Sequence, residues 1–255
     1  MKLKNATAAL TICIAALLLS GPVHAEDDWS FQLEPYLLAS SIDGDTSVGR
    51  VTGADVAVDF GDILEVLELG GMVHFEAHHT SGWGAILDYG FMDLGADISG
   101  PRGGIVGAEV RQGVLEALVV RRFETGDRTI DYMAGVRWWD NDIDVAVDPA
   151  VLPGTAMFDV QEDWLDLVLG IRWTNRLNEN WKHFIRGDLG GLGLESDFTG
   201  SVALGLHYQI SKRVDLDLQY KATWVDFEDG SPGESGYFAY DTVTHGPIVG
   251  FIFNF

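Results

Sequence analysis

The chain predicts an all-β fold: an up-and-down antiparallel transmembrane β-barrel of about ten strands, with eight or twelve also fitting the spacing. Three observations predict it. Short segments alternate apolar and polar residues, tight turns alternate with long links, and aromatic residues gather at the segment ends. No stretch after residue 25 is apolar enough to cross a bilayer as a helix. A backbone in lipid satisfies its hydrogen bonds only as a helix or as a closed barrel.

The N-terminus reads as a cleaved secretory signal peptide over 1–25. Lys2 and Lys4 precede an apolar run from Ala8 to Leu19, followed by Val23-His24-Ala25 at the expected cleavage site. That run is too short for a spanning helix. The only cysteine, Cys13, lies within it, so the mature barrel domain, 26–255, is expected to carry no thiol. Without Lys2 and Lys4 it keeps 14 of the 16 basic residues against all 39 acidic ones. Such a surface excludes nucleic acid, whose affinity comes from phosphate contacts, and offers no basic patch for anionic lipid.

Ten candidate strands follow in order: 29–40, 69–80, 83–93, 105–122, 129–139, 163–174, 181–192, 197–210, 213–226 and 237–255. Each meets the roughly 9–11 residues that a tilted membrane strand needs. Thr80-Ser81-Gly82, Glu124-Thr125-Gly126-Asp127 and Ser211-Lys212 make tight links, while 41–68, 140–162 and 227–236 are long ones. Short periplasmic turns and long external loops are the membrane-barrel habit, and an even strand count returns both ends to the periplasm.

If the first strand runs outward, one parity assumption sorts the aromatics into two girdles. Trp29, Trp83, Trp173, Trp181, Tyr208 and Phe255 fall at periplasmic ends; Phe91, Trp138, Trp224 and Tyr237 fall at external ends. The lipid-facing rows become Phe31, Leu33, Leu37; Val73, Phe75, Ala77; Ala85, Leu87, Tyr89; Leu165, Leu167, Leu169, Ile171; and Val214, Leu216, Leu218, Tyr220. None contains Lys or Arg, which would cost about 2–4 kcal/mol each at the midplane. The apolar row around Val106 to Val120 changes parity near Gln112, which predicts a bulge. Asp93, in an outward row, is expected at the external interface.

The last strand alternates clearly. Phe255, Phe253, Phe251, Val249 and Pro247 form a large apolar face, against Asn254, Ile252, Gly250, Ile248 and Gly246. A closing strand that ends in Phe resembles the C-terminal signal of bacterial outer-membrane barrels. The resemblance gives Phe251, Phe253 and Phe255 the role of assembly signal.

The inward rows hold Glu34, His74, Glu76, His78, Asp88, Gln112, Glu116, Asp131, Arg137, Asp166, Arg172, Arg186, Asp188, Asp217 and Lys221. Charges in a narrow lumen need partners, because an unpaired buried charge is costly. They fit either a salt-bridged interior with little free bore or a narrow water-filled pore. Acids outnumber bases in these rows, so a pore would favour cations. Pro35 and Pro247 fall inside the two strands that close the barrel, and each removes a ladder donor. They mark either tolerated bulges or a weak seam that admits a hydrophobic molecule. Asp62 to Leu67 has the spacing of one or two helical turns, expected either to narrow the external mouth or to pack on the rim.

Catalysis has little to stand on. Ser201 and His207 share an inward row but lie six residues apart, and His78 and Ser81 flank a turn with no third member. Asp140, Asp142, Asp144, Asp148, Asp226, Glu228 and Asp229 cluster in the long links without EF-hand spacing. No enzyme activity, metal or other cofactor is expected.

Several stretches resemble an uncharacterised family of small proteobacterial outer-membrane β-barrel proteins, distantly porin-like. They are Glu34-Pro35-Tyr36, Asp62-Ile63-Leu64-Glu65, Arg186-Gly187-Asp188-Leu189-Gly190-Gly191, Ser196-Asp197, and Tyr240-Asp241 with Gly246-Pro247 before Phe255. The resemblance implies a barrel in the outer membrane, with lipid, lipopolysaccharide and the barrel assembly machinery as partners. It brings no catalytic or ligand residues. The expected role is porin-like or structural; carriage of a small hydrophobic compound, or an interaction made by the acidic loops, are the alternatives.

Overall fold

The computed structural model describes residues 28–48, 51–99, 105–147, 156–234 and 236–255. The expected signal peptide, 1–25, and Asp148 lie outside them. The chain forms β1 (Trp29–Leu38), β2 (Ser41–Val48), β3 (Val51–Val58), α1 (Phe60–Val66), β4 (Leu67–His79), β5 (Trp83–Ser99) and β6 (Ile105–Thr125). It continues with β7 (Arg128–Val147), β8 (Ala156–Arg176), β9 (Trp181–Gly191), β10 (Phe198–Gln209), β11 (Val214–Asp229) and β12 (Phe238–Asn254). All pairings are antiparallel, and β1 bonds both β4 and β12. Ten strands, β1 and β4 to β12, therefore close a barrel.

The outside is apolar because period-two alternation leaves one face of every strand to it. Leu165, Leu167, Leu169 and Ile171 are 46–59 % exposed, while Trp164, Asp166 and Val168 between them are at most 3 % exposed. Phe251 and Val249 face outward on β12, and Ile252 and Ile248 are buried inside. Ala77 lies in an outward row yet is only 9 % exposed, with the ring of Phe31 as its cross-strand partner. At the short-turn end Trp181 packs on Tyr208, and the Arg121 guanidinium lies 5.3 Å from the Trp83 ring centroid.

Four sequence expectations change. First, the long links are largely strand. β7 and β8 run 20 and 21 residues, about twice what the bilayer needs, and stay paired to Val147↔Ala156. Second, the 41–58 stretch is a β2–β3 hairpin docked on the upper half of β12, where Ile42 pairs with Thr244. β1 and β2 thus form one edge along β12, broken at Ala39–Ser40, with Ala39 N–H donating to the Pro247 carbonyl at 2.9 Å. Gly246 permits the approach, since a methyl group there would overlap the Ala39 carbonyl oxygen.

Third, β6 carries no bulge at Gln112. Its register against β5 and β7 runs unbroken. The parity change arises because Leu118 and Val120 face inward, packed with Ile86, Met133 and Val168 into an apolar patch on the inner wall. Fourth, Tyr237 is buried at 7 % and belongs to no girdle. Asp93 is half-buried, and Arg111 reaches both it and Asp142.

Candidate functional site

The barrel interior is organised in tiers. In the tier nearest the short turns, Arg172 on β8 reaches across to Glu76 on β4 with both guanidinium nitrogens, Nη2 donating to Oε2 at 2.8 Å. Arg172 also holds Asp131, which Arg122 grips through Nε at 2.7 Å. Glu76 meets His78 at 2.6 Å and His74 at 2.8 Å, and His74 meets Asp88 at 2.6 Å. Asp88 accepts from the Tyr36 hydroxyl.

The middle tier centres on Arg137, 1 % exposed, which donates to Glu116, Asp188 and Thr199. Arg186 donates to Glu116 at 2.6 Å. Asp166, fully buried, accepts from the Trp164 indole and from both the hydroxyl and backbone N–H of Ser196. These are the charge-assisted pairs a desolvated lumen requires.

The uppermost tier is aromatic. Trp139, Trp164, Phe227, Phe238 and Tyr240 form one buried cluster. The Trp164 and Phe227 rings stack 3.9 Å apart at 8°, and the Tyr240 hydroxyl accepts from Gln112 across the bore. Sequence reasoning missed this layer. Its signal was present, because Trp139 continues the row of Asp131 and Arg137, and Trp164 that of Asp166.

Among the described residues, two cavities stand out in the lumen. The larger, about 540 Å³, extends from the Gly126–Asp127 turn upward past Glu34, His74, Arg172, Arg186 and Asp217. The smaller, about 100 Å³, is lined by Leu38, Met72, Met92, Val114, Trp139 and polar groups including Gln112 and Arg137. Tyr36, Asp88, Lys221 and Ile248 line both, so these four side chains stand between the two cavities.

The structure places Glu34, Glu76, His78, Gln112, Glu116, Asp131, Arg137, Asp166, Arg186 and Asp217 in buried positions. His74, Asp88, Arg172, Asp188 and Lys221 are half-buried residues of the same rows. α1 is the expected helical segment, with Ile63 buried, but none of its residues lines either cavity. Pro35 and Pro247 share no height: the β1–β12 register sets Pro35 opposite Phe251, whereas the Pro247 carbonyl meets Ala39. That register continues past Pro35 without a shift, so the proline interrupts the ladder and bulges nothing.

Ser201 bonds Asp188, while His207 lies against Asp217, so these two residues do not meet. At the first turn it is His79, not His78, that contacts Ser81, at 2.7 Å. An unforeseen chain runs on the outer face: Tyr220 hydroxyl to His245 at 2.8 Å, and His245 to Asp43 at 3.0 Å. Among the described residues no group of three or more His, Cys, Asp or Glu is arranged to hold a metal. Toward the end of the barrel opposite the short turns, burial and then the charges of Asp241 and Asp197 hold the Asp226 carboxyl above its ordinary range.

No protein-family model matches the sequence, and no curated protein sequence matches it significantly. The likeness is to solved outer-membrane barrels. The outer-membrane protease OmpT from Escherichia coli superposes with a TM-score of 0.53 at 9 % identity, over 91 % of this chain and 98 % of that one. The translocator domain of autotransporter NalP from Neisseria meningitidis gives 0.49 at 13 % identity, over 98 % of each chain. At these identities the likeness concerns the fold: a closed antiparallel barrel of the outer-membrane type.

Proposed function

We propose that this barrel resides in a bacterial outer membrane and serves as a narrow, cation-preferring pore without catalytic activity. Lipid and lipopolysaccharide surround it, and the assembly machinery reads Phe251, Phe253 and Phe255. The observation that carries the reading is the pair of neighbouring lumen cavities that share Tyr36, Asp88, Lys221 and Ile248 in their walls. A barrel filled only for rigidity has no use for a charged space of about 540 Å³. Six acids and six bases line that space, so its own wall is balanced. Over the inward rows as a whole acids outnumber bases. The sign of the charge on lumen walls sets ion preference, and that excess favours cations.

Reconstitution of the purified, heat-modifiable protein in planar bilayers tests the proposal. Small ohmic steps with a reversal potential displaced toward the cation equilibrium are expected in a salt gradient. Silence, or anion preference, overturns it. Protease and lipase assays on the same sample test the non-catalytic part.

The apolar lining of the smaller cavity favours a second reading, carriage of a small hydrophobic molecule. Met72 and Met92 supply adaptable walls there. Saturable quenching of Trp139 fluorescence by such a compound, lost on Met72→Lys, would support it over the pore.

A further inference from the structure

We infer that Lys221 determines which cations the pore admits: its ammonium, standing between the two cavities, lets monovalent ions pass and holds divalent ones back. The inference rests on the pore reading and names its permeant class.

The inward row of β11 crosses from one cavity to the other at this residue. Asp217 and Gln219 line only the larger cavity and Thr223 only the smaller, while Lys221 lines both. Tyr36 on β1 and Ile248 on β12 mark the same level in their own rows, between Glu34 and Leu38 and between Ile252 and Thr244. Of the four side chains at this level, three are fixed. Tyr36 donates to Asp88 at 2.8 Å, Asp88 lies 2.6 Å from His74, and Ile248 is 3 % exposed. Lys221 is half-buried and, among the described residues, makes no ion pair within 4.0 Å and no side-chain hydrogen bond. Directly across from it stand Ala203 and Gly246, whose side chains offer it no polar partner.

The arginines that reach into the bore are fastened, Arg172 to Glu76 and Asp131, Arg137 and Arg186 to Glu116. Each presents a neutralised pair to a passing ion. Asp88 and Glu116 share the smaller cavity's wall with Lys221, but both have closer partners, in His74 and in the two arginines. Lys221 therefore presents a positive charge on a flexible stem that nothing clamps. A fixed charge repels an ion in proportion to the ion's own charge, and barriers enter the rate exponentially. An ammonium that slows a monovalent cation about tenfold slows a divalent one about a hundredfold. The excess of acids over the inward rows draws cations in, and Lys221 sorts them by valence.

Planar-bilayer recordings on the full-length barrel, with sodium chloride on one side and calcium chloride on the other, read the sorting as a reversal potential. The wild type is expected to prefer sodium. Lys221→Gln is expected to raise the calcium-to-sodium permeability ratio about tenfold. Lys221→Arg, which keeps the charge, is expected to leave it low. Heat-modifiable mobility checks that each variant is folded. A folded Lys221→Gln barrel with the wild-type ratio, a Lys221→Arg barrel that matches Lys221→Gln, or a wild type that admits calcium as freely as sodium overturns the inference. Lys221→Cys in a Cys13→Ser background repeats the test on one open channel, before and after modification. Aminoethyl methanethiosulfonate, which restores a positive charge, is expected to lower the calcium-to-sodium ratio, and the negatively charged sulfonatoethyl reagent to raise it. Equal effects of the two reagents, or none, overturn the charge filter. A silent or anion-preferring wild type removes the pore and this role with it. A cation-preferring pore whose calcium ratio ignores Lys221 keeps the pore and removes the filter.

Discussion

Arg172 and Glu76 stand on strands four places apart around a ten-strand ring, yet the arginine spans the bore and holds both carboxylate oxygens. The pair works as a cross-strut. Glu76 is 2 % exposed, so removing its main cationic partner leaves a nearly buried charge short of a counterion. Arg172→Ala is expected to destabilise the folded barrel by about 3–5 kcal/mol. The double change Arg172→Met with Glu76→Leu should cost much less, because no charge is left behind. Urea unfolding in lipid vesicles measures both; equal losses would reduce the strut to ordinary packing.

The Trp164–Phe227 stack lies in the aromatic tier beside Trp139, which lines the smaller cavity. Replacing Trp164 by Ala removes the ring that bridges Trp139 to Phe227. Single-channel current is expected to rise while cation preference stays, since the acids below are untouched. Unchanged current in a folded variant would put the narrowest point elsewhere, at the side chains between the two cavities, Tyr36 and Lys221 among them.

Much of the fold could be read from the chain because the solvent on the outside is hydrocarbon. Leu165, Leu167, Leu169 and Ile171 had to alternate with something, and the alternation gave both the strand and its face. The reasoning failed where the lumen is not uniformly polar. Leu118 and Val120 face inward because Ile86, Met133 and Val168 wait for them on neighbouring strands, a fact with no local trace. The β2–β3 hairpin was hidden for the same kind of reason. Its partner, the upper half of β12, lies about two hundred residues away in sequence, as in Thr244↔Ile42. At the candidate site the identity of the inward acids was legible, but which partner holds each of them was not. Neutralisation happens across the bore, between strands that sequence order keeps far apart.

Lipid contact predicts an asymmetry between neighbours on β8. Leu167 is 55 % exposed on the outer wall, and Val168 is 1 % exposed inside. Leu167→Arg places a guanidinium in hydrocarbon and is expected to cost about 2–4 kcal/mol. Leu167→Phe should be nearly neutral, because the outer wall has space and the same polarity. Folding yields into vesicles, followed by heat-modifiable mobility, compare the two; a silent Leu167→Arg would place this row outside the apolar belt.

Acidic crowding predicts a pH dependence at the external end. Asp226 on β11 pairs directly with Asp241 on β12, and its carboxyl is held above the ordinary range by burial and then by Asp241 and Asp197. A carboxyl whose folded pKa is raised binds protons more tightly folded than unfolded. Its favourable contribution is therefore complete below the unfolded value, about 4, and is lost as pH climbs through the higher folded value. The β11–β12 extension should be tighter in mild acid than at neutral pH. Asp226→Asn removes the repulsion, so it should protect the backbone amides of Val225 to Asp229 from hydrogen exchange at pH 7. Below the unfolded value it should change little, because protonation of the wild-type carboxyl removes the repulsion there. Equal protection at both pH values would show that Asp226 and Asp241 do not repel each other in the folded chain.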